Sequence, residues 1–196
     1  AHIAKRAYIP AGEAARILDA VSVLRSMEGE DKPMLGRRVV VYGGGNTVGS
    51  SGMSLYSGEQ VARRGAVFVN FNYRLGILGF MAHPELTRES GRQASGNWVY
   101  LDQVAALRWI QRNIAAFGGD PAQVVVAGQS AGAGAVSLLQ ASPLAKGLFR
   151  GVVAMSGGTW GNGGTGGVPL AEDERVGLQV QSATKSASLT AMRNVQ

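Results

Sequence analysis

The chain has 196 residues, of which 45% are hydrophobic and 16% are charged, which is typical of a globular rather than a disordered protein. It contains no cysteine, which excludes disulfides, thiol catalysis and zinc–thiolate sites. The net charge is +6, but the basic residues are scattered and no aromatic residues alternate with them, so nucleic-acid binding is not expected.

Targeting and membrane signals are also missing from the sequence. No apolar run approaches the roughly 18 residues that a transmembrane helix needs, so no membrane span is expected. The first residues contain no hydrophobic core of a signal peptide, and together with the lack of cysteine this predicts a cytoplasmic location. Glycine supplies 29 residues, about twice its usual share of about 7%, as in α/β proteins with tight turns.

Hydrophobic periodicity divides the chain into helices and strands. In chain order, the patterns predict a helix over residues 13–24, a strand over 38–42, a glycine- and serine-rich loop over 46–58, a short helix over 60–64 and a strand over 66–70. A long excursion over 73–95 follows, then a helix over 100–116, a strand over 124–126, a helix after residue 130, a strand over 151–155 and a loop over 157–167. Such alternation implies a mostly parallel sheet with helices on both faces.

The sequence Gly128-Gln129-Ser130-Ala131-Gly132 lies between a β-branched run and a predicted helix. A nucleophilic serine at the tip of so tight a turn has a strained backbone, and the residues two positions away must be small. The start of the helix also favours a developing oxyanion. The alternatives are an ordinary glycine-rich turn and a phosphate-binding loop, but the latter needs a lysine after the last glycine, which is absent.

Acyl transfer needs a nucleophile, an oxyanion hole and an acid–histidine pair. Ser130 provides the nucleophile, and the backbone N–H of Ala131 follows it. The triplet Gly43-Gly44-Gly45, at the end of an earlier predicted strand, is the expected second contributor of N–H groups. Taken alone, such a triplet is also consistent with a simple tight turn.

Further motifs accompany the serine in a fixed order from Tyr42 onward. They occupy residues 42–45, 49–52, 72–74, 78–80, 95–97, 101–109, 117–121, 128–132, 142–144, 146–149 and 156–157. In these motifs, about three-quarters of the chain resembles the type-B carboxylesterase/cholinesterase family of α/β-hydrolases. The resemblance implies a partial α/β-hydrolase fold and hydrolysis of small-molecule carboxylic esters, with no cofactor and no metal.

The same resemblance implies roles for individual residues. Ser130 is the expected nucleophile, and Gly44, Gly45 and Ala131 are the expected donors of the oxyanion hole. The resemblance further implies that two acidic residues of these motifs are structural, namely Asp102 and Asp120. Two positions depart from the family: Asn46 replaces the usual aromatic residue, and Gln129 replaces a frequent glutamate.

The largest departure is that no histidine follows Ser130. In this fold the order is serine, acid, histidine, whereas His2 and His83 both lie upstream. His83 is interpreted as a packed or solvated residue rather than a base. Residues 37–196 are therefore predicted to be the N-terminal part of a hydrolase domain with impaired esterase activity. A non-catalytic hydrolase-like module is an alternative, and unpaired sheet edges make self-association expected.

The start of the chain shows a second resemblance. Residues 1–47, above all 8–12 and 36–47, resemble FAD-dependent pyridine-nucleotide oxidoreductases of the glutamate-synthase small-subunit type, which hold NAD(P)H at such a glycine-rich turn. The pattern ends at Val48, where glycine or alanine is wanted. We therefore expect residues 1–36 to be a lead of different ancestry, spliced on as a fusion. An NAD(P)- or FAD-dependent oxidoreductase fragment is the alternative function.

Overall fold

A five-stranded sheet organises the part of the chain that the computed structural model describes, residues 22–24, 37–45, 49–158 and 167–195. The strands are β1 (Ser22–Leu24), β2 (Arg37–Gly44), β3 (Val67–Asn70), β4 (Gly119–Gln129) and β5 (Gly151–Met155). Their spatial order is β1-β3-β2-β4-β5. β2 to β5 are parallel, and β1 pairs antiparallel with β3. The predicted α/β fold with a mostly parallel sheet is confirmed.

Helices connect these strands. In the described residues they are α1 (Glu59–Ala62), α2 (Gly76–Phe80), α3 (Pro84–Glu89), α4 (Trp98–Asn113), α5 (Ala131–Ala141), α6 (Leu170–Ala183) and α7 (Leu189–Met192). The chain moves from β2 to β3 in one direction across the sheet and from β3 to β4 to β5 in the other. Because such crossovers are right-handed, α1 lies on one face and α4 and α5 lie on the opposite face.

The hydrophobic core lies between the sheet and helices α4 and α5. Val39, Val67 and Val124 are neighbours in register on β2, β3 and β4, and each is at most 1% exposed. Leu107 and Ile110, one helical turn apart on α4, are equally buried and belong to the same cluster. Burial of each such side chain contributes about 1.5–3 kcal/mol, so α4 is fixed firmly against the sheet.

A buried ion pair connects the segment after β3 to α4. Asp102 is 0% exposed and accepts hydrogen bonds from the Arg74 backbone N at 3.0 Å, Nε at 2.9 Å and Nη2 at 2.6 Å. The Arg74 guanidinium also lies 5.6 Å from the centre of the Trp98 ring. Three hydrogen bonds and a cation–π contact compensate the cost of burying the charges. This buried ion pair agrees with the structural role that the family resemblance implies for Asp102.

Polar contacts over long sequence separations join α6 and α7 to the region of α3. They are His83 Nε2 with Gln181 Oε1 at 2.8 Å, Thr87 Oγ1 with Glu174 Oε1 at 2.5 Å, the Leu189 N–H with Glu85 Oε1 at 3.4 Å, and Arg193 Nη2 with Glu89 Oε2 at 2.7 Å. The helices are also very close there, since a Cβ on Gly177 would lie 1.9 Å from the Ala82 carbonyl oxygen. Only glycine permits this approach at position 177.

Several predicted elements need correction. Residues 22–24 form β1, so the helix predicted over residues 13–24 is wrong at its end, and residues 13–21 lie outside the described residues. Pairing of Val23 with Val69 on β3 supplies backbone hydrogen bonds that outweigh the helical spacing. The excursion over residues 73–95 contains helices α2 and α3, and helix α6 was not predicted.

Two further observations bear on the surface. Among the described helices, none combines the length and the apolar character required to cross a membrane. Strand β5 lies at the edge of the described sheet, and its Val153 and Met155 are 46% and 38% exposed. Strands β1 and β5 are the two edges of the described sheet, and the self-association expected from unpaired edges remains a prediction.

The ion pair gives a first prediction. Asp102→Ala should lower the free energy of unfolding by about 3–5 kcal/mol, because it leaves the largely buried Arg74 charge without its carboxylate. The matched control is Glu59→Ala, which breaks an ion pair with Arg63 whose side chains are 59% and 61% exposed, and should cost at most about 0.5 kcal/mol. Urea unfolding followed by circular dichroism measures both, and equal losses would contradict the prediction.

Burial of Tyr100 gives a second prediction. Desolvation raises the pKa of Tyr100 above its ordinary value of 10.0, so the folded chain retains the phenol proton to higher pH than the unfolded chain. The free energy of unfolding should therefore decrease as the pH rises above about 10. Tyr100→Phe should weaken this decrease in urea unfolding across alkaline pH. An identical pH slope in the variant and the parent chain would refute it.

Candidate active site

Ser130 occupies a strained turn between β4 and α5. Its φ of +54° and ψ of −118° are unusual for a residue with a side chain, and Ser130 is exposed. The Ser130 N–H donates to the Met155 carbonyl at 2.9 Å, and the Ser130 carbonyl accepts from the N–H groups of Ala133 at 2.9 Å and Gly134 at 3.2 Å. The surrounding backbone thus holds the strained conformation on both sides.

Glycine is required around this turn because backbones come too close for any side chain. A Cβ on Gly128 would lie 2.1 Å from the Gly132 carbonyl oxygen. A Cβ on Gly157, just after β5, would lie 2.5 Å from the Ser130 carbonyl oxygen. The first contact follows the predicted need for small residues two positions from the serine. The need for glycine at position 157 arises in the segment that follows β5, and no local sequence pattern predicts it.

The glycine triplet ends beside the serine turn. In the register of the parallel strands, Gly43 pairs with Gly128 and Gly44 pairs with Gln129, the residue before Ser130. Gly45 follows β2 with a φ of +82°, which only glycine adopts easily. The ends of β2 and β4 that carry these sequence-predicted residues therefore lie side by side, where the parallel strands end.

Ala131 is the first residue of α5, an 11-residue helix. Its backbone N–H belongs to the first turn, whose N–H groups have no partner within the helix, and the helix dipole is positive at this end. A negative charge forming near Ser130 would be stabilised there. The structure therefore places Ser130 and Ala131 beside the end of β2, where Gly44 and Gly45 lie, while the role of Ser130 as nucleophile and those of the other three as donors remain predictions.

His83 is a packed residue. It is 1% exposed, its Nδ1 accepts from the Glu85 N–H at 3.1 Å as the N-cap of α3, and its Nε2 lies 2.8 Å from Gln181 Oε1. With Nδ1 as an acceptor, Nε2 carries the proton and donates to Gln181. Both ring nitrogens are thus engaged in structural hydrogen bonds, as the interpretation of His83 as a packed residue requires. His2 lies outside the described residues.

Three acidic residues are engaged in structural hydrogen bonds. Asp102 binds Arg74, Asp120 Oδ1 accepts from the Ala122 N–H at 2.8 Å, and Glu174 binds Thr87. Within the ranges that the structure describes, no group of three or more histidine and acidic side chains could hold a metal ion.

One contact at the site was not foreseen from the sequence. The Tyr73 hydroxyl donates to the Gly45 carbonyl oxygen at 2.8 Å, across 28 residues of sequence. Tyr73 belongs to one of the family motifs, and no local sequence pattern indicates its partner.

The close contacts at the turn give a third prediction. Gly128→Ala should lower the free energy of unfolding by about 3 kcal/mol or more, because its methyl group overlaps the Gly132 backbone. Gly134→Ala, within α5, is the matched control: its Cβ would have only the Gly158 carbonyl oxygen nearby, at 4.0 Å, and it should raise stability by about 0.5–1 kcal/mol. Thermal and urea unfolding measure both, and equal stability of the two variants would rule out the predicted crowding.

The protein is similar to known proteins over the same strands and helices. The sequence profile of the carboxylesterase family matches residues 21–193. It includes the strand β1 that precedes the glycine triplet. The comparisons support the carboxylesterase resemblance and give no support to the oxidoreductase resemblance of residues 1–47. The division of the chain at residue 36 remains a prediction.

Similar proteins include esterases of known sequence and structure. The chain is 51% identical over 118 residues to the fumonisin B1 esterase of Sphingopyxis macrogoltabida, covering 60% of this chain and 22% of that protein. It is 42% identical over 149 residues to the cocaine esterase of Oryctolagus cuniculus, covering 76% and 26%. A thermophilic PNB esterase structure has a TM-score of 0.71 at 32% identity, covering 85% and 32%. The chain thus spans about a fifth to a third of these relatives' length, and it belongs to the carboxylesterase family.

Proposed function

We propose that the protein hydrolyses carboxylic esters through an acyl-enzyme on Ser130. The observation that carries the proposal is the exposed Ser130 with its strained backbone, at the start of α5 and beside the end of β2. Strain of this kind costs about 1–3 kcal/mol and persists where the surroundings enforce it, often at functional sites. The geometry supports a nucleophile presented to a small molecule.

The chemistry follows the usual course of acyl transfer. Ser130 Oγ forms a bond to the ester carbonyl carbon while a base takes its proton, and the carbonyl oxygen becomes an oxyanion. Collapse of this intermediate breaks the bond to the alcohol, which leaves with a proton. Water then attacks the acyl group on Ser130, which releases the carboxylic acid and restores the hydroxyl.

The oxyanion would accept hydrogen bonds from the backbone N–H groups of Gly44, Gly45 and Ala131. Two features already described support this assignment of the donors. They are the register that pairs Gly44 with Gln129 and the position of Ala131 at the start of α5. Donors fixed before the reaction need no reorganisation during it, and loss of one such donor in known enzymes costs about 10²–10³ in rate.

Substrate class is inferred from the relatives. The similar proteins are named as esterases of fumonisin B1 and of cocaine, and as PNB esterases. These names support small-molecule carboxylic esters as substrates of the protein to which this sequence belongs. The family resemblance gives no reason to expect a cofactor. A cytoplasmic location and self-association through unpaired sheet edges remain predictions.

Any activity test of this sequence needs a catalytic base that is supplied in solution. No histidine follows Ser130, and His83 is engaged by Glu85 and Gln181. Without a base, the serine hydroxyl at its ordinary pKa is a poor nucleophile. The activity of the sequence alone is therefore expected to be weak, and dissolved imidazole is the natural substitute.

Covalent labelling tests the proposal directly. In imidazole buffer, a fluorophosphonate should add one phosphonyl group to Ser130, because its phosphoryl oxygen takes the place of the oxyanion and fluoride leaves. Intact-mass and peptide mass spectrometry should locate the label on Ser130 and find none on Ser130→Ala. The control Ser137→Ala, two turns along α5 where the hydroxyl bonds to the Ala133 carbonyl, should be labelled as the parent chain is.

Two outcomes would contradict the proposal. An unlabelled parent chain would favour a non-catalytic hydrolase-like module. A label that persists in Ser130→Ala at the parent rate would assign the nucleophile to another residue.

A further inference from the structure

Tyr73 is held in place from two sides. Tyr73 is 9% exposed, and its ring packs edge-on against Phe71, with ring centres 5.9 Å apart and an interplanar angle of 66°. The next residue, Arg74, is bound through its backbone N–H and its side chain to the fully buried Asp102 of α4. The Tyr73 hydroxyl therefore projects from a position that the core and a buried ion pair both fix.

This hydroxyl holds the carbonyl of Gly45, the third glycine of the triplet. It donates to the Gly45 carbonyl oxygen at 2.8 Å, and Gly45 has a φ of +82°. Glycine has more backbone freedom than any other residue, so φ and ψ of Gly45 need an outside restraint. A bonded carbonyl provides it, because rotation about either torsion would break the hydrogen bond.

The restrained residue lies next to the nucleophile turn. Gly44, whose peptide group joins it to Gly45, is in register with Gln129, immediately before Ser130. A restraint on Gly45 thus also limits how the N–H groups of this turn are directed. Hydrogen-bond donors accelerate acyl transfer when their orientation is set in advance.

We infer that Tyr73 is a positioning residue that fixes the oxyanion hole through the Gly45 carbonyl. The inference rests on the proposed function of Ser130. Tyr73 does not touch the substrate in this assignment, and it acts through Gly45. The buried Asp102–Arg74 pair contributes by fixing the backbone beside Tyr73.

The test compares Tyr73→Phe with the matched control Tyr100→Phe. Both keep a partly or fully buried ring and remove one hydroxyl, but Tyr100 packs against Phe80, with ring centres 6.1 Å apart. The full chain is treated with the fluorophosphonate in imidazole buffer near neutral pH, and the maximal labelling rate kinact and the half-saturating concentration KI are measured. Tyr73→Phe should lower kinact by about tenfold and leave KI unchanged, whereas Tyr100→Phe should match the parent chain.

A spectroscopic readout accompanies the kinetics. The ¹³C resonance of the Gly45 carbonyl should shift in Tyr73→Phe and stay in place in Tyr100→Phe, because only the first loses a hydrogen bond to that oxygen. If Tyr73→Phe does not fold, 3-fluorotyrosine introduced at position 73 keeps the ring and makes the hydroxyl a stronger donor. The Gly45 resonance should then move relative to the parent chain, and an unmoved resonance would overturn the inference.

The outcomes separate the two proposals. Labelling of Tyr73→Phe at the parent rate overturns the inference and leaves the proposed function intact. A lower kinact accompanied by an equal loss in Tyr100→Phe also overturns it. If the parent chain is not labelled at all, the proposed function is wrong, and the oxyanion role of Tyr73 is wrong with it.

Discussion

The close approach of β4 and the start of α5 is the constraint on which the candidate active site depends. The backbone can reverse at Ser130 only because Gly128 has no side chain to meet the Gly132 carbonyl. The reversal places the first turn of α5 over the end of the sheet and allows Val136 and Leu139 to enter the core. Their burial offsets the strain at Ser130, so the same contact that positions the hydroxyl also attaches the helix.

A second set of contacts connects the core to the glycine turn that follows β2. Asp102 lies on α4, which places Leu107 and Ile110 in the core, and it binds Arg74 in the segment that leaves β3. Tyr73 extends this connection to Gly45. A chain of specific contacts therefore runs from the buried helix to the glycine turn beside Ser130. A buried charge is a costly means of attachment, and its value here is that Arg74 offers several donors in a fixed geometry.

The parts of the fold that the sequence could predict are those fixed by local chemistry. The turn at Ser130 follows from its flanking glycines and from the switch between β-branched and helical patterns, and β2 to β5 follow from short apolar runs. The helical spacing over residues 13–24 does not predict strand β1, because this strand depends on pairing with β3, which no local pattern contains. The contacts of His83 with Gln181 and of Tyr73 with Gly45 join residues 98 and 28 positions apart, and they depend on the tertiary fold. The roles of Gly44, Gly45 and Ala131 as oxyanion donors still rest on family resemblance and position.

The attachment of α6 and α7 has a consequence for the rate of folding. The contacts that hold these helices against α3 join residues 87 to 104 positions apart, and the closest approach is of Gly177 to Ala82. Closing such long loops costs entropy before any contact compensates it, so these helices gain a docking surface only after α3 has formed. The pairing of Val39 on β2 with Val124 on β4 closes a loop of similar length, so the sheet carries the same entropic cost, and slow folding is expected for a chain of this size.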